Sequence, residues 1–300
     1  MVYGNLEGAI AKVARAAEHY RTLKYGLNGG FDDTFRPVTM VCEREGLEYS
    51  FCVGEIRPID PSFSLIAGDG YHNLRSALDH LVFEMHVRHF RGRIDPVAEI
   101  ESMFPIYDRP RFKDKKKTIP KPTKEWSNIC RLSAKERRAI EWLQPYRRGY
   151  EVPPVGPLTL VQQMRQTLHD VNWFDVVDKH RTIHAVQEAR FSYHAPIFPA
   201  KYGFRQHPRI DVPLESYAEV DRWTFKRPLP PEEMQMHAGI YSAVCVEKPG
   251  DKSVAIIRNL GGSILGVALV IQKFARLFPP ITEPFNLTWI HAERQPAPEV

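Results

Sequence analysis

The amino-acid sequence predicts an α+β protein. Three observations lead to this prediction. Apolar residues recur at helical spacing near both ends and in the middle of the chain, a β-rich hairpin follows the first helix, and residues 188–250 carry alternating apolar runs separated by turns. The 300 residues, 43% of them apolar, are enough to bury a complete core. We expect a single domain over residues 1–292, in which amphipathic helices pack with the hairpin and an antiparallel sheet, and a disordered tail over 293–300.

The first two predicted elements are a helix and a hairpin. Apolar residues from Leu6 to Tyr20 recur at steps of three and four, which predicts a helix over about residues 4–25. Runs 38–42 and 47–53 are rich in β-branched and aromatic residues and predict a hairpin, in which Cys42 would face a residue near Tyr49. Because the four cysteines show no CxxC spacing, we expect free thiols.

The middle of the chain predicts three further helices. Helical spacing returns over residues 62–90, over a short segment ending at Leu143, and over 158–186, with a break expected near Asp178. Ser133 and Glu136 have the spacing of a capping box at the start of the short helix.

The segments between and after these helices have their own patterns. Residues 104–107 are predicted to form a short buried anchor, and 109–124 an exposed basic loop. Helical spacing from Ile257 to Phe278 predicts a last helix. Its most apolar run, 260–271, is shorter than the roughly 20 residues that cross a bilayer, so we interpret it as a buried core helix.

Charge is distributed unevenly along the chain. Residues 109–148 hold 14 Lys and Arg against 4 Asp and Glu, whereas the whole chain carries a net charge of +5. A basic segment on an otherwise acidic chain is typical of a phosphate-binding surface, which makes RNA the expected partner. A solvated surface loop is the alternative. The N-terminus has no pattern of a secretion signal, so we expect a cytoplasmic protein without a membrane partner.

A first cluster of polar residues lies within the helix predicted over 62–90. His72, Ser76 and His80 are spaced four apart and therefore share one stripe, while Arg75 and Asp79 can form an ion pair on the neighbouring stripe. Asn73 adds an amide to the same region, and the opposite face is apolar.

Arg75 and His80 form an R-x4-H pattern, which resembles the motif of the HEPN nucleases, helical proteins that cut RNA without a metal. The resemblance covers Arg75, Ser76 and His80, and it implies that Arg75 binds the scissile phosphate and that His80 acts as general acid or base. We expect His72, Asn73, Ser76 and Asp79 to support these two residues. In that family the Arg and His meet across a two-fold dimer or a pair of domains and cut RNA without a metal, so we expect a homodimer and no cofactor. The two residues lie about 140° apart on an ideal helix, so they would have to meet across two copies or a helix break.

A second polar cluster spans residues 169–184. If it packs beside the first cluster, Asp178 and His180 would orient or assist catalysis, and Lys179 and Arg181 would hold the RNA backbone together with Lys115, Lys116 and Lys117. The blocks 71–82, with the letters HNLRSALDH, and 178–181, DKHR, are similar to a family of uncharacterised bacterial proteins.

Two alternatives compete with RNA cleavage. In the first, the same polar helices form a buried, hydrogen-bonded network in a non-catalytic structural or partner-binding protein. In the second, the protein is a metal-dependent hydrolase with nitrogen and oxygen ligands from His72, His80, Asp178, His180 and His184.

Overall fold

The computed structural model describes residues 4–27, 35–37, 39–52, 54, 60–93, 102–107, 129–148, 159–180, 185–193, 200–208, 217–230, 238–246 and 254–278. The fold is α+β, as predicted. The described residues group into two compact units, one within 1–22, 65–183 and 258–300 and the other within 23–64 and 184–257. The single domain over 1–292 stays a prediction. The basic loop 109–124 and the tail 293–300 lie outside the described residues.

The helices lie where the spacing of apolar residues predicts them, except that the fourth helix ends earlier than expected. They are α1 (Glu7–Leu27), α2 (Ser62–His89), α3 (Ala134–Trp142), α4 (Leu160–His180) and α5 (Ile256–Ala275).

The prediction for the end of α4 was wrong in two respects. The helix continues through Asp178 without a break, and residue 186 belongs to a strand rather than to the helix. That strand is long and pairs with residues 238–246, and such long-range pairing overrides a local helical pattern.

Small residues allow the helices of the first unit to pack closely. A Cβ atom on Gly70 of α2 would lie 3.1 Å from Leu260 of α5, and one on Gly266 of α5 would lie 2.0 Å from Thr167 Oγ1 of α4. The predicted apolar face of α2 is fully buried; it consists of Leu74, Leu78, Leu81 and Met85. This packing places His72 of α2 beside Asp175 of α4, and Gly68 of α2 beside Asp178 of α4. We call this boundary between the two helices the seam.

Helix α3 begins with the predicted capping box. Ser133 accepts a hydrogen bond from the Glu136 backbone N–H, and the Glu136 carboxylate accepts one from the Ser133 N–H. The predicted anchor is also confirmed at its first two residues, because Phe104 and Pro105 are buried. Gln144, just after α3, holds this anchor by donating to the Pro105 carbonyl at 2.9 Å.

The second unit contains two antiparallel sheets. In the first, the order is β2–β3–β6–β5, where β2 (Thr39–Glu43) and β3 (Glu48–Cys52) form the predicted hairpin and Cys42 faces Tyr49 as expected. The remaining strands are β5 (Arg205–Pro208) and β6 (Glu219–Thr224). The sequence predicts that the strands of 188–250 pair with one another, and β6 does pair with β5. Its other edge pairs with β3 of the hairpin, where the ring centroids of Phe51 and Trp223 lie 4.7 Å apart.

The other sheet has the order β1–β7–β4, with β8 paired to β7. Its strands are β1 (Phe35–Pro37), β4 (Ala185–Tyr193), β7 (Ala238–Val246) and β8 (Val254–Ala255). Residues 185–193 pair with 238–246 along their whole length. The prediction of an antiparallel sheet in this part of the chain is therefore confirmed for these strands.

Helix α5 is longer than its apolar run. It has 20 residues and an apolar window with a mean hydropathy of 1.2, so the argument that this segment is too short to cross a membrane was wrong. Half of that window is buried, and its inward residues Leu260, Ile264, Val267 and Ile271 are fully buried, as predicted for a core helix. One helix of this kind does not establish where the protein resides.

Candidate active site

The seam between α2 and α4 holds a histidine–aspartate pair. His72 Nδ1 of α2 lies 2.9 Å from Asp175 Oδ1 of α4. The His72 side chain is 51% exposed, whereas that of Asp175 is only 5% exposed. A carboxylate accepts hydrogen bonds and does not donate them, so this contact places a proton on Nδ1 and leaves the Nε2 lone pair available. This is the arrangement of a histidine held ready as a general base.

The second oxygen of Asp175 binds a lysine one helical turn further along. Lys179 Nζ lies 2.7 Å from Asp175 Oδ2, and the lysine side chain is 50% exposed. An ammonium group has three donors, of which this contact uses one. Lys179 can therefore hold Asp175 and present positive charge to solvent beside His72.

Asp178 lies over the first turns of α2. A Cβ atom on Gly68 would fall 2.0 Å from Asp178 Oδ1, so the carboxyl group occupies the space that a glycine leaves open. Burial, followed by the neighbouring Asp69 and Asp175, raises the pKa of Asp178, although His72 and Lys179 act in the opposite direction. These surroundings make the Asp178 carboxyl group a weaker acid than an ordinary aspartate.

A buried network fixes the two helices behind the exposed pair. Tyr71 stacks on Phe174 with ring centroids 4.2 Å apart and an interplanar angle of 13°. The Tyr71 hydroxyl donates to Asn259 Oδ1 at 2.6 Å, and Asn259 Nδ2 donates to Asp170 Oδ2 at 3.0 Å. The polar chain joins α2, α4 and α5, so His72 and Asp175 stand on rigid elements.

The predicted phosphate ligand, Arg75, is buried. Its Nη2 donates to the Phe104 carbonyl at 2.8 Å and lies 3.2 Å from Asp79 Oδ1, which confirms the expected Arg75–Asp79 ion pair. Asp79 in turn accepts a hydrogen bond from the Phe104 N–H at 2.8 Å, and burial raises the pKa of its carboxyl group in spite of Arg75. These contacts tie residues 102–107 to α2.

The other predicted residues have separate surroundings. His80 is half-buried against α1, where its Nδ1 lies 3.0 Å from the position of a Cβ on Gly8. Asn73 donates to the Asp69 carbonyl within α2, and Ser76 is half-buried. Of the predicted residues, the structure therefore brings His72, Asp178 and Lys179 together. Arg75 and His80 contact other residues.

Several predictions lie outside the described residues. They concern the side chain of His180 and the residues Lys115, Lys116, Lys117, Arg181 and His184. Within the described ranges no group of three or more His, Cys, Asp or Glu side chains is placed to hold a metal ion. Because His180 and His184 belong to the suggested ligand set, the metal alternative stays a hypothesis.

Sequence reasoning missed Asp175, the residue that orients His72. The signal was present, because Asp175 and Lys179 stand at i and i+4, the same spacing as Arg75 and Asp79. What the pattern did not provide was the pairing across helices, which depends on the rotation of α4 against α2.

Comparisons with protein families, with curated proteins and with solved structures give no match for this chain. The fold and the seam define an α+β protein in which the half-exposed His72 and Lys179 both contact the buried Asp175 carboxylate.

Proposed function

We propose that this protein cleaves RNA without a metal and that His72, oriented by Asp175, is its proton-transfer residue. The observation that carries the proposal is the 2.9 Å contact between His72 Nδ1 and the buried Asp175 carboxylate, on a histidine whose side chain is half exposed. Metal-independent RNA cleavage is also what the R-x4-H resemblance implies, but here the central histidine is His72 instead of His80.

The reaction would be an internal transesterification. His72 Nε2 takes the proton of the ribose 2′-hydroxyl, the 2′-oxygen bonds to phosphorus, and the bond to the 5′-oxygen breaks. The products are a 2′,3′-cyclic phosphate and a free 5′-hydroxyl, so the proposed reaction needs no oxidant, reductant or metal. Asp175 favours this transfer because it stabilises the imidazolium that forms.

Two neighbours of His72 supply the remaining functions. Lys179 presents ammonium hydrogens to the phosphoryl oxygens, where negative charge increases as the 2′-oxygen attacks. Asp178, whose pKa is raised by burial and by Asp69 and Asp175, donates the proton that the 5′-oxygen needs to leave.

A non-catalytic structural protein is the second candidate, and the position of Arg75 favours it. A guanidinium that is 7% exposed and bonded to the Phe104 carbonyl and Asp79 joins two segments rather than facing solvent. Under this alternative the His72–Asp175 contact would have the same role between α2 and α4.

Cleavage of a mixed pool of single-stranded RNA in EDTA tests the proposal. We expect His72→Ala to lower the cleavage rate by about 10²- to 10⁴-fold, the usual contribution of general acid–base catalysis. The matched control is His207→Ala, which removes another exposed histidine that is hydrogen-bonded through one ring nitrogen, in this case to Thr224.

Comparison with His80→Ala separates the roles of the two histidines. Loss of cleavage in His80→Ala with full activity in His72→Ala would return the central role to His80. Absence of cleavage by the folded wild-type protein, or equal cleavage by wild type and His72→Ala, would favour the structural alternative. A product ending in a 3′-phosphate with no cyclic intermediate would contradict the transesterification.

A further inference from the structure

A second polar surface of the first unit surrounds an exposed tryptophan. Trp142, the last residue of α3, is 38% exposed. Two cations lie over its ring: Lys273 Nζ of α5 is 4.3 Å from the ring centroid, and Arg165 Cζ of α4 is 5.2 Å from it. Arg147 adds a third, exposed cation beside Arg165. We refer to Trp142, Arg147, Arg165 and Lys273 as the Trp142 patch.

Arg165 holds the patch together through backbone carbonyls. Its Nε and Nη2 donate to the Trp142 carbonyl at 3.1 and 2.8 Å, and Nη1 donates to the Arg147 carbonyl at 2.9 Å. The carbonyls at a helix C-terminus attract a cation, so these bonds fix the end of α3. They leave the positive charge of Arg165 without a carboxylate partner within the described ranges.

The charges of the patch are therefore poorly balanced. Its nearest described carboxylate is Glu141, which lies 3.4 Å from Arg147 and also accepts a hydrogen bond from the Tyr146 hydroxyl. Burial is the main cause that lowers the pKa of Arg165, and repulsion from the neighbouring Arg147 lowers it further. An anion placed between them would relieve that repulsion.

A surface that binds single-stranded nucleic acid combines two components, cations and an exposed aromatic side chain, and the Trp142 patch has both. Phosphates bind to Arg and Lys, and a base can stack on the aromatic ring regardless of its identity. An acidic peptide would satisfy the cations but would leave the exposed part of Trp142, 38% of the residue, without a partner. Trp142 and Arg147 also belong to the basic segment 109–148, whose charge of +10 follows from 14 basic and 4 acidic residues.

We propose that the Trp142 patch binds single-stranded RNA, with Arg147, Arg165 and Lys273 on the phosphates and a base against Trp142. This inference rests on the proposed function, since it takes RNA as the substrate, and it assigns the surface that holds the strand outside the cleavage site. It makes binding separable from catalysis, because none of the four residues contacts His72, Asp175 or Lys179 among the described interactions.

The test is fluorescence anisotropy of a labelled single-stranded RNA in EDTA, with the full chain carrying His72→Ala so that the strand stays intact. We expect Trp142→Ala to raise Kd by about tenfold, within the range measured for loss of one stacked base. Lys273→Ala should lower the slope of log K against log salt by about 0.7, the value for one phosphate contact on a single strand.

Two control variants match these changes elsewhere on the chain. Lys201→Ala removes another lysine that lies over an aromatic ring, 4.7 Å from the Tyr202 centroid, and Tyr25→Ala removes an aromatic side chain that is 71% exposed. Both should leave Kd within twofold. Circular dichroism checks the folding of Trp142→Ala, and Lys273→Ala provides a second variant whose substitution places a good helix former within α5.

The outcomes distinguish this inference from the cleavage proposal. Weakened binding in both patch variants, without cleavage by the wild-type protein, would support the patch and contradict the catalytic role of His72. Cleavage that depends on His72, with unchanged binding in both patch variants, would contradict the patch alone. Undetectable RNA binding, or equal competition by polyglutamate of the same charge, would also overturn the patch as an RNA site.

Discussion

Asp178 of α4 occupies the space that Gly68 of α2 leaves open, since a Cβ atom at position 68 would lie 2.0 Å from Asp178 Oδ1 and 2.4 Å from its Cγ. The three nearest heavy atoms all belong to the Asp178 carboxyl group. The contact joins the two helices that carry His72 and Asp175, so a substitution at residue 68 probes how these helices pack.

Gly68→Ala should have opposite effects in two backgrounds. In the wild-type protein the overlap with Asp178 should lower the free energy of unfolding by about 1–3 kcal/mol. With Asp178→Ala already present, the same substitution should raise it by about 0.5–1 kcal/mol, because alanine favours a helix over glycine. Urea denaturation of the four proteins measures both values.

Gly262→Ala in α5 is the control for that cycle. This glycine is exposed and no heavy atom lies within 4 Å of the position of its Cβ, so the substitution should stabilise the protein in either background. Destabilisation of equal size by Gly68→Ala in both backgrounds would show that Asp178 does not occupy this space in solution.

Arg75→Ala should destabilise the protein strongly. It leaves the partly buried Asp79 carboxylate without its cation and the Phe104 carbonyl without its donor. Removing one partner of such a pair costs about 3 kcal/mol. Arg15→Ala, at a pair with Glu18 whose side chains are 61% and 54% exposed, should cost well under about 1 kcal/mol. Similar losses of stability in the two variants would contradict the role given to Arg75. Because Arg75→Ala should destabilise the protein, its activity should be compared with that of a variant of equal stability.

The free energy of unfolding should decrease as the pH falls, because His86 is buried and its pKa is lowered. This histidine is buried, its Nδ1 lies 3.0 Å from Ser102 Oγ, and burial, assisted by the nearby His89 and Arg131, lowers its pKa from 6.5 to about 4. Between these two values the unfolded chain binds a proton that the folded chain does not, so this contribution to stability is complete above pH 6.5 and is lost as the pH falls toward 4.

The loss is at most about 3.5 kcal/mol, because the pKa falls from 6.5 to about 4 and one pKa unit corresponds to about 1.4 kcal/mol. Denaturant unfolding at several pH values should give a flatter profile for His86→Gln than for wild type. His207→Gln, at an exposed histidine, should follow the wild-type profile. A His86→Gln profile parallel to that of wild type would rule out His86 as the group that titrates.

Tyr71→Phe should test the network behind the seam. The substitution keeps the stacking on Phe174 but removes the hydroxyl that donates to Asn259 Oδ1 at 2.6 Å. The part-buried Asn259 Oδ1 would then keep only the long 3.5 Å hydrogen bond from Ser263 Oγ, so the loss should be about 1 kcal/mol. Tyr25→Phe removes an exposed hydroxyl and should change the free energy of unfolding by less than about 0.5 kcal/mol. Thermal or urea unfolding of both variants makes the comparison, and a neutral Tyr71→Phe would mean that water replaces the hydroxyl.

Much of the local structure was predictable because its signals are local. The spacing of apolar residues identified α1, α2 and α5, the Ser133–Glu136 spacing identified the start of α3, and the turn around Gly46 identified the register in which Cys42 faces Tyr49. In each case the residues that determine the element lie within a few positions of one another.

The sequence by itself thus determined the fold class, the faces of the helices and the Arg75–Asp79 pair, whose members stand one turn apart on α2. Only the tertiary structure decided that His72 rather than His80 faces Asp175, that α4 ends at His180, and that β6 joins the hairpin. These outcomes depend on which surfaces meet across many residues of chain. The rotation of one helix against another is set by the packing of all the side chains between them, and no local spacing encodes it.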